Sequence, residues 1–155
     1  MNASPLILLT KAGHLDLLRL GGAEVVVPDA VIAEIGRKGP YDPTVQAIGQ
    51  AGWLSIVPRP QVPESVRSCN LDHGETAVLA VAQGDPDAEV VLDDLAARRC
   101  SARLGIAYLG SVGLVLMAKR LGAIPAARPV IERLRLSGLY LDDDFVAEVL
   151  KRLGE

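Results

Sequence analysis

The chain has 155 residues, which suits one domain with a hydrophobic core of its own. Half of its residues are apolar but only 3% are aromatic, so Ala, Val, Leu and Ile fill the interior. A formal net charge of −3 argues against a protein that coats nucleic acid through a broad positive field, although it allows a local basic patch beside an acidic pocket.

The cysteines and the apolar stretches bear on the cellular compartment. Cys69 and Cys100 lack the density of a secreted disulfide scaffold, so we expect packing residues in a reducing cytoplasm. The apolar run near the amino terminus is followed by its first positive charge, Lys11, and does not have the pattern of a signal peptide. The longest apolar stretch, residues 106–118, is shorter than the roughly 20 residues that span a bilayer. We therefore expect a cytoplasmic protein without a membrane segment.

Short runs rich in β-branched residues alternate along the chain with longer segments of helical periodicity. In chain order, the predicted elements are a helix over 5–20 with a break at Gly13, strand 24–27, helices 29–35 and 43–51, strand 54–57, helix 74–83, strand 89–92, helix 95–104, strand 106–109, and helices 111–121, 129–137 and 143–153. The Pro-rich stretch 58–68 is predicted to be a loop. This alternation predicts an α/β fold in which right-handed crossover helices flank a parallel sheet.

Two carboxylates, Asp72 and Glu75, stand at the start of the helix predicted over 74–83. Capping accounts for Asp72, whose side chain is expected to accept hydrogen bonds from the early amides of the helix. Capping accounts less well for Glu75, because apolar residues follow it at i+3, i+4 and i+7 and place it on the inward face. A buried carboxylate needs a partner or a proton, since burying an isolated charge costs several kcal/mol or more.

Three further acids occupy comparable positions. Glu34 shares an apolar face of its short helix, with an ordinary solvated glutamate as the alternative interpretation. Asp93 and Asp94 directly follow the strand predicted over 89–92, at the edge where open parallel sheets place their ligands. One of this pair is expected to cap the next helix, which leaves the other for a different role.

Carboxylates gathered at one edge of a sheet repel one another unless a cation neutralises them. Hard oxygen ligands suit Mg²⁺ or Mn²⁺, which usually also bind phosphate oxygens of a substrate. Such a metal can activate a water and stabilise the charge that develops on a phosphodiester, so the acids favour hydrolysis of a nucleic-acid backbone. A zinc site is disfavoured, because the chain has no C-x-x-C or H-x-x-x-H pair.

Several motifs, in order along the chain, resemble those of PIN-domain proteins: ASPLI, VVVPDAVIAEI, LDHGETAVLAVA, VVLDDLAARRCSARLGI and GSVGLVLMAKRLG. The resemblance extends from residue 2 to the last helix and is closest to a bacterial and archaeal branch related to VapC-type toxins. It implies a single PIN-like domain over residues 1–155. It also implies a three-layer sandwich whose parallel sheet has the strand order 3-2-1-4-5, with an acidic metal site at the carboxyl ends of the central strands.

Carried over position by position, the resemblance implies that Glu34, Glu75 and Asp93 are the catalytic acids. They would bind Mg²⁺ or Mn²⁺ together with Asn2, and Asp94 would be an auxiliary ligand. The family pattern usually has an acid where this chain has Asn2, and an amide ligates without charge, so lower metal affinity is expected. The family pattern also has a buried strand before that position, where this sequence has one residue, so the first strand is expected to be truncated.

The resemblance further implies contacts with nucleic acid. Ser4 would lend its hydroxyl to a metal-bound water or a phosphate, with an N-cap followed by Pro5 as its alternative role. Arg98 would steer phosphate beside the metal. The expected function is that of a metal-dependent endoribonuclease, the toxin of a type II toxin–antitoxin pair; the alternative is a non-catalytic nucleic-acid-binding or protein-interaction module. Expected partners are RNA, an antitoxin protein and further copies of the chain, with no membrane.

Overall fold

The computed structural model describes residues 1–22 and 24–155. The α-helices are α1 (Ala3–Lys11), α2 (Asp29–Gly36), α3 (Pro43–Gln50), α4 (Glu64–Arg67), α5 (His73–Gln83), α6 (Leu95–Arg103), α7 (Ser111–Arg120), α8 (Arg128–Leu136) and α9 (Asp143–Arg152), and a 3-10 helix spans Leu15–Gly21. The strands are β1 (Val25–Pro28), β2 (Leu54–Val57), β3 (Glu89–Val91) and β4 (Ala107–Leu109).

The predicted alternation of strands and helices is confirmed, with two corrections. The first helix ends at Lys11, and after Gly13, where φ is +75°, the chain continues as a 3-10 helix instead of an α-helix. Glycine adopts this left-handed backbone conformation without the steric penalty that a β-carbon brings. The stretch 58–68, predicted to be a loop, contains α4, because Val66 is fully buried and draws this segment onto the core.

The strands form two parallel pairs. β1 lies beside β2 with Val25 opposite Leu54, and β3 lies beside β4 with Val91 opposite Leu109. Within the described part of the chain, no ladder of hydrogen bonds joins one pair to the other. The fold is therefore α/β with small parallel sheets, and the five-stranded order 3-2-1-4-5 is not confirmed, because the described residues form four strands.

The amino terminus lies between the two pairs of strands. The α-amino group of Met1 donates to the carbonyl of Val26 in β1 at 3.1 Å, and the amide of Asn2 donates to the carbonyl of Val91 in β3 at 3.4 Å. Burial lowers the pKa of the Met1 ammonium to about 5. α1 begins at Ala3, so the chain leaves the layer of strands directly after these two contacts.

One core holds these elements together. It includes fully buried side chains from β1 (Val27), the end of β3 (Leu92), α5 (Leu79), α7 (Val115) and α8 (Ile131). Each fully buried aliphatic side chain contributes about 2 kcal/mol of hydrophobic stabilisation. Since helices on both sides pack against the strands, the carboxyl ends of β1 and β3 are held in fixed positions. Among the described residues, no helix combines the length and apolar character needed to cross a membrane.

A disulfide joins Cys69, in the loop before α5, to Cys100 in α6, with their Cα atoms 6.0 Å apart. The expectation that the two cysteines are unlinked packing residues is therefore wrong. They are separated by 31 positions, and only the folded chain shows that the loop lies against α6. Arg103 of α6 strengthens this contact by donating to the carbonyl of Ser65 at 3.2 Å and to the hydroxyl of Ser68 at 3.0 Å.

Candidate metal centre

The acids singled out in the sequence come from four places in the fold. Asn2 precedes α1, Glu34 lies near the end of α2, Glu75 lies in the first turn of α5, and Asp93 and Asp94 follow β3. These segments meet at the carboxyl ends of the parallel strands, which is where α/β folds place ligands. The predicted location of a site is thus consistent with the path of the chain.

Gly74, the second residue of α5, marks the point where oxygen atoms of three segments converge. A β-carbon placed on Gly74 would lie 2.7 Å from Oε2 of Glu34, 3.3 Å from Oδ1 of Asn2 and 3.5 Å from Oδ1 of Asp72. These distances leave no room for a side chain beside Glu34. The absence of a β-carbon at position 74 therefore leaves the space that these three oxygen atoms border.

Glu75 is the most strongly perturbed acid of this group. Its residue surface is only 7% exposed, and its Oε1 accepts a long hydrogen bond of 3.5 Å from Nδ2 of Asn2. Burial first, and then the nearby negative charges of Asp72, Asp94 and, to a smaller extent, Glu34, together raise the pKa of Glu75 to about 7. The inward position predicted from the helical spacing is confirmed, and the site carries excess negative charge.

Glu34 shows the same effect more weakly. It is half-buried, and its pKa is raised first by burial and then by the charge of Asp72, while Arg37 and Lys38 act in the opposite direction. The alternative of an ordinary solvated glutamate does not describe it, because its Oε2 faces the oxygen atoms around Gly74. Glu34 and Glu75 are therefore electrostatically part of one group.

Asp72 belongs to this group although the sequence was interpreted only as placing a cap there. Its Oδ1 accepts from the backbone N–H of Glu75 at 2.7 Å and so caps α5, as predicted. The same oxygen borders the space at Gly74 that oxygen atoms of Glu34 and Asn2 also border, and Asp72 itself is exposed to solvent. The signal available in the sequence was the spacing D-H-G-E, in which Gly74 leaves space between two acids that face the same way.

Asp93 is held by other groups. Its Oδ1 accepts from the backbone N–H of Ser111 at 2.8 Å and lies 3.5 Å from the guanidinium of Arg98, and its Oδ2 accepts from the hydroxyl of Ser111 at 2.7 Å. Only 8% of its side chain is exposed. Asp93 thus fastens the end of β3 to the start of α7. The sequence did not reveal Ser111 as its partner, because the two residues are 18 positions apart.

Of the two acids after β3, Asp94 is the N-cap of α6, and Asp93 is the acid that capping does not explain. Oδ1 of Asp94 accepts from the backbone N–H of Ala97 at 2.9 Å and starts α6. Asp94 is exposed and close enough to Glu75 to raise the pKa of that buried carboxyl. It therefore contributes negative charge to the group around Gly74 from the side of β3.

The two residues expected to contact nucleic acid are placed differently. Nε of Arg98 donates to the carbonyl of Leu92 at 2.8 Å, and its guanidinium packs against Gly110, where a β-carbon would lie 2.0 Å from it. Arg98 is thereby fixed beside Asp93.

Ser4 lies half-buried in the first turn of α1, and its alternative role as N-cap is wrong. Asn2 is the cap, because its Oδ1 accepts from the N–H of Ala3 at 2.8 Å.

The oxygen atoms around Gly74 are of the type that a hard divalent cation prefers. Asn2, Glu34 and Asp72 present oxygen atoms at one place, and the buried Glu75 adds negative charge that lacks a cationic partner among the groups that shift its pKa. Across residues 1–22 and 24–155, no three His, Cys, Asp or Glu side chains form a group that could hold a metal ion. The oxygen atoms at Gly74 belong to two carboxylates and one amide.

Comparison with known proteins gives one match. The model of a protein family described as a PIN domain, DUF3368, matches residues 1–155. A search of curated proteins and a search of solved structures each give no match.

Proposed function

This chain belongs to the PIN-domain family, and on that premise we propose that it is a divalent-metal-dependent endoribonuclease that hydrolyses RNA phosphodiester bonds. The PIN domain is a nuclease-type fold whose members generally use divalent metals and bind nucleic acid. The proposal adds to these family properties a substrate, RNA, the identity of the ion and the residues that bind it. A small parallel α/β fold with acids at the carboxyl ends of its strands agrees with it.

The convergence of oxygen atoms at Gly74 is the observation that carries the proposal. Oxygen atoms from Asn2, Glu34 and Asp72 crowd the position of the missing β-carbon. No basic residue is among the groups that shift the pKa of Glu75, and at Glu34 the charges of Arg37 and Lys38 offset the raised pKa only in part. Like charges held this close destabilise the fold, so they are retained where they bind a cation.

In this proposal, Asn2, Glu34 and Asp72 hold Mg²⁺ or Mn²⁺ together with Glu75 and Asp94. Asp93, which the family resemblance implies is a catalytic acid and metal ligand, accepts hydrogen bonds from Ser111 and holds the end of β3 beside the site. When bound, the ion supplies positive charge that stabilises a phosphodiester as its bond to the leaving oxygen breaks. We assign the ion as Mg²⁺ or Mn²⁺ because all of the proposed ligand atoms are oxygen atoms.

The chain's own residues perform two further tasks. Burial and the neighbouring acids raise the pKa of Glu75 to about 7, so near neutral pH binding of the ion would displace a proton from this carboxyl. Arg98, fixed between Leu92 and Asp93, places a positive charge beside the acids, and Ser4 presents a hydroxyl from the first turn of α1. Both groups suit the phosphate of an RNA backbone. Asp72 and Asp94 are exposed, so the substrate reaches the site from their side.

The test is an RNA cleavage assay with end-labelled single-stranded RNA, in Mg²⁺ and in EDTA. We expect cleavage only with the metal, a loss of about 100-fold in the variant Glu75→Gln and of about tenfold in Asp72→Asn. The matched control is Glu64→Gln, which changes an exposed acid in α4 and should leave cleavage unaffected. Cleavage that continues in EDTA, or in Glu75→Gln at the rate of the control, would contradict the proposal.

A second candidate function is supported by Asn2 and Asp93. An amide stands where the family pattern usually has an acid, and both oxygen atoms of Asp93 are engaged by Ser111. A non-catalytic module that binds nucleic acid or a protein would not need a charged metal ligand at position 2. It would also not need an Asp93 whose oxygen atoms are free to bind a metal. Titration calorimetry, together with the RNA cleavage assay above, separates the two candidates. The enzyme binds Mn²⁺ at the acids and cleaves RNA, whereas the module binds RNA or a partner without turnover.

Three broader assignments complete the proposal. Residues 1–155 form a single domain whose two strand pairs correspond to the outer halves of a sheet of order 3-2-1-4-5. The cellular role is that of the toxin in a type II toxin–antitoxin pair located in the cytoplasm, with an antitoxin protein as partner. The chain forms homo-oligomers through apolar helix faces, which size-exclusion chromatography with light scattering tests directly. Growth arrest on induced expression, relieved by Glu75→Gln, tests the toxin role.

A further inference from the structure

The turn between α2 and α3 carries two positive charges beside the acidic site. Residues 37–41, with the sequence Arg-Lys-Gly-Pro-Tyr, follow α2 directly, and we call them the basic turn. Arg37 and Lys38 stand at i+3 and i+4 from Glu34, so they are its neighbours on the helix surface. The pKa of Glu34 is raised first by burial and then by Asp72, and the two cations oppose this rise. The basic turn therefore lies within electrostatic reach of the acids.

The two cations of the basic turn are exposed to solvent. In the part of the chain that the structure describes, neither Arg37 nor Lys38 forms a salt bridge, although Glu34 stands at a spacing that allows one. The reason is the direction of the Glu34 carboxylate, whose Oε2 lies 2.7 Å from the place of a β-carbon on Gly74. Because that carboxylate faces the site, the two positive charges are available to an anion from solution.

A tyrosine projects from the same turn. Tyr41 is 89% exposed. The amide of Asp42 donates to the carbonyl of Gly39 at 3.2 Å, which closes a turn with Pro40 and Tyr41 at its tip. The ring of Pro40 and the φ of +90° at Gly39 restrict the backbone, and Asp42 faces α3, whose first turn it caps. The basic turn therefore presents an aromatic ring next to its two cations.

A third cation reaches the site from the end of β2. Arg59 follows that strand, and its guanidinium donates to Nδ1 of His73 at 3.1 Å. His73 stands between Asp72 and Gly74, so Arg59 lies near the acids at the start of α5, whereas the basic turn lies at the end of α2. Arg59 is exposed and forms no salt bridge with any residue that the structure describes. Two separate elements thus place positive charge beside the acidic site.

We propose that the basic turn and Arg59 bind single-stranded RNA across the acidic site, with phosphates on Arg37, Lys38 and Arg59 and one unpaired base stacked on Tyr41. This assignment rests on the proposed function, from which it takes RNA as the substrate. Cations that contact the backbone and an aromatic ring that stacks on a base are the two means by which proteins bind single strands without reading sequence. A base inside a duplex is already stacked on both faces, so Tyr41 selects against paired RNA.

The direct test is fluorescence anisotropy of the 155-residue protein with a labelled single-stranded RNA of about ten nucleotides, in EDTA. Tyr41→Ala should weaken binding by about fivefold or more, which is the loss of one stacked base, whereas Tyr41→Phe keeps the ring and should bind within about twofold of the wild type. A duplex of the same sequence should bind at least about tenfold more weakly. The matched control is Tyr140→Ala, because Tyr140 is 91% exposed but lies between α8 and α9, which supply none of the site's acids.

Salt dependence tests the cations separately. The double variant Arg37→Ala/Lys38→Ala should lower the slope of log affinity against log salt by about 1.4, and Arg59→Ala by about 0.7, because each phosphate contact on a single strand accounts for about 0.7. Arg120→Ala removes an exposed cation at the end of α7 and should leave the slope unchanged. Binding in EDTA is independent of cleavage. A wild type that binds in this way but does not cleave contradicts the proposed nuclease alone, and cleavage by a protein without these binding effects contradicts this inference alone.

Three results would overturn the proposal. The first is a wild type that does not bind the single strand up to about 1 mM, or binds it no better than the duplex. The second is an unchanged salt slope in Arg37→Ala/Lys38→Ala, which would leave these cations only their favourable position at the carboxyl end of α2. The third is a dimer in light scattering that Tyr41→Ala dissociates while RNA affinity is unchanged, which would assign Tyr41 to an interface between copies of the chain.

Discussion

Replacing Glu75 with Gln should stabilise the metal-free protein at alkaline pH even though it removes a residue assigned to the site. The carboxyl of Glu75 has its pKa raised from 4.5 to about 7, first by burial and then by Asp72 and Asp94. In the unfolded chain the same carboxyl ionises near its ordinary value. The folded protein therefore binds this proton more tightly, and its stability falls as the pH rises from about 4.5 and through about 7.

The pKa shift sets an upper limit on the effect. A difference of this size between folded and unfolded states corresponds to about 3 kcal/mol of unfolding free energy once the pH exceeds the folded pKa. The acids beside Glu75 are exposed, and water near them screens part of the repulsion, so we expect Glu75→Gln to gain about 1–3 kcal/mol at pH 8. At pH 5 most of the native carboxyl is protonated, and the gain should be less than about 1 kcal/mol.

Urea unfolding in EDTA at pH 5 and pH 8 measures this difference, with Glu64→Gln as the control that should match the wild type at both values. Adding Mg²⁺ at pH 8 should stabilise the wild type and leave Glu75→Gln unchanged, because a ligand that binds only the folded state raises its stability. A gain from Glu75→Gln that is the same at both pH values would refute the electrostatic reasoning. A wild type that is more stable than Glu75→Gln at pH 8 in EDTA would refute it as well.

Further substitutions test the packing around the site. Gly74→Ala should reduce Mg²⁺-dependent cleavage by about 100-fold with folding retained, because its β-carbon would displace Glu34. The control is Gly49→Ala, where no atom lies within 4 Å of the new β-carbon; it should preserve cleavage and raise the unfolding free energy by up to about 1 kcal/mol. Ser111→Ala leaves Asp93 without its hydroxyl donor and should lower the unfolding free energy by about 1–3 kcal/mol in thermal melts. Reduction of the disulfide, which closes a loop of 31 residues, should lower it by about 3–4 kcal/mol, measured by urea unfolding with and without reductant.

The strands and the inward position of Glu75 could be predicted because they depend on local pattern. β-branched runs and helical spacing are visible within a few residues, and they placed all four strands and the first turn of α5 correctly. The two corrections to the elements have tertiary causes. Val66 is drawn inward by the core, and the chain after Gly13 tightens into a 3-10 helix, and neither effect is visible in local periodicity.

The partners within the site could be predicted only in part. Capping explained Asp72 completely, so its place in the acidic group was not predicted, although the spacing D-H-G-E indicates it. Asp93 lies where predicted, but its engagement by Ser111 depends on how α7 packs against the end of β3. The disulfide was missed for a similar reason, since Cys69 and its partner meet only when the loop before α5 reaches α6. Contacts of long sequence separation need the folded structure.

The division of the strands into two pairs also bears on how the proposed nuclease activity would be lost on heating. Among residues 1–22 and 24–155, the backbone bonds of Met1 and Asn2 are the ones that connect the edges of β1 and β3, and side-chain packing holds the two halves together. Glu34 follows one pair and Asp94 follows the other. Thermal inactivation should therefore precede the loss of secondary structure, because the halves can drift apart as cooperative units while each still retains its own ladder.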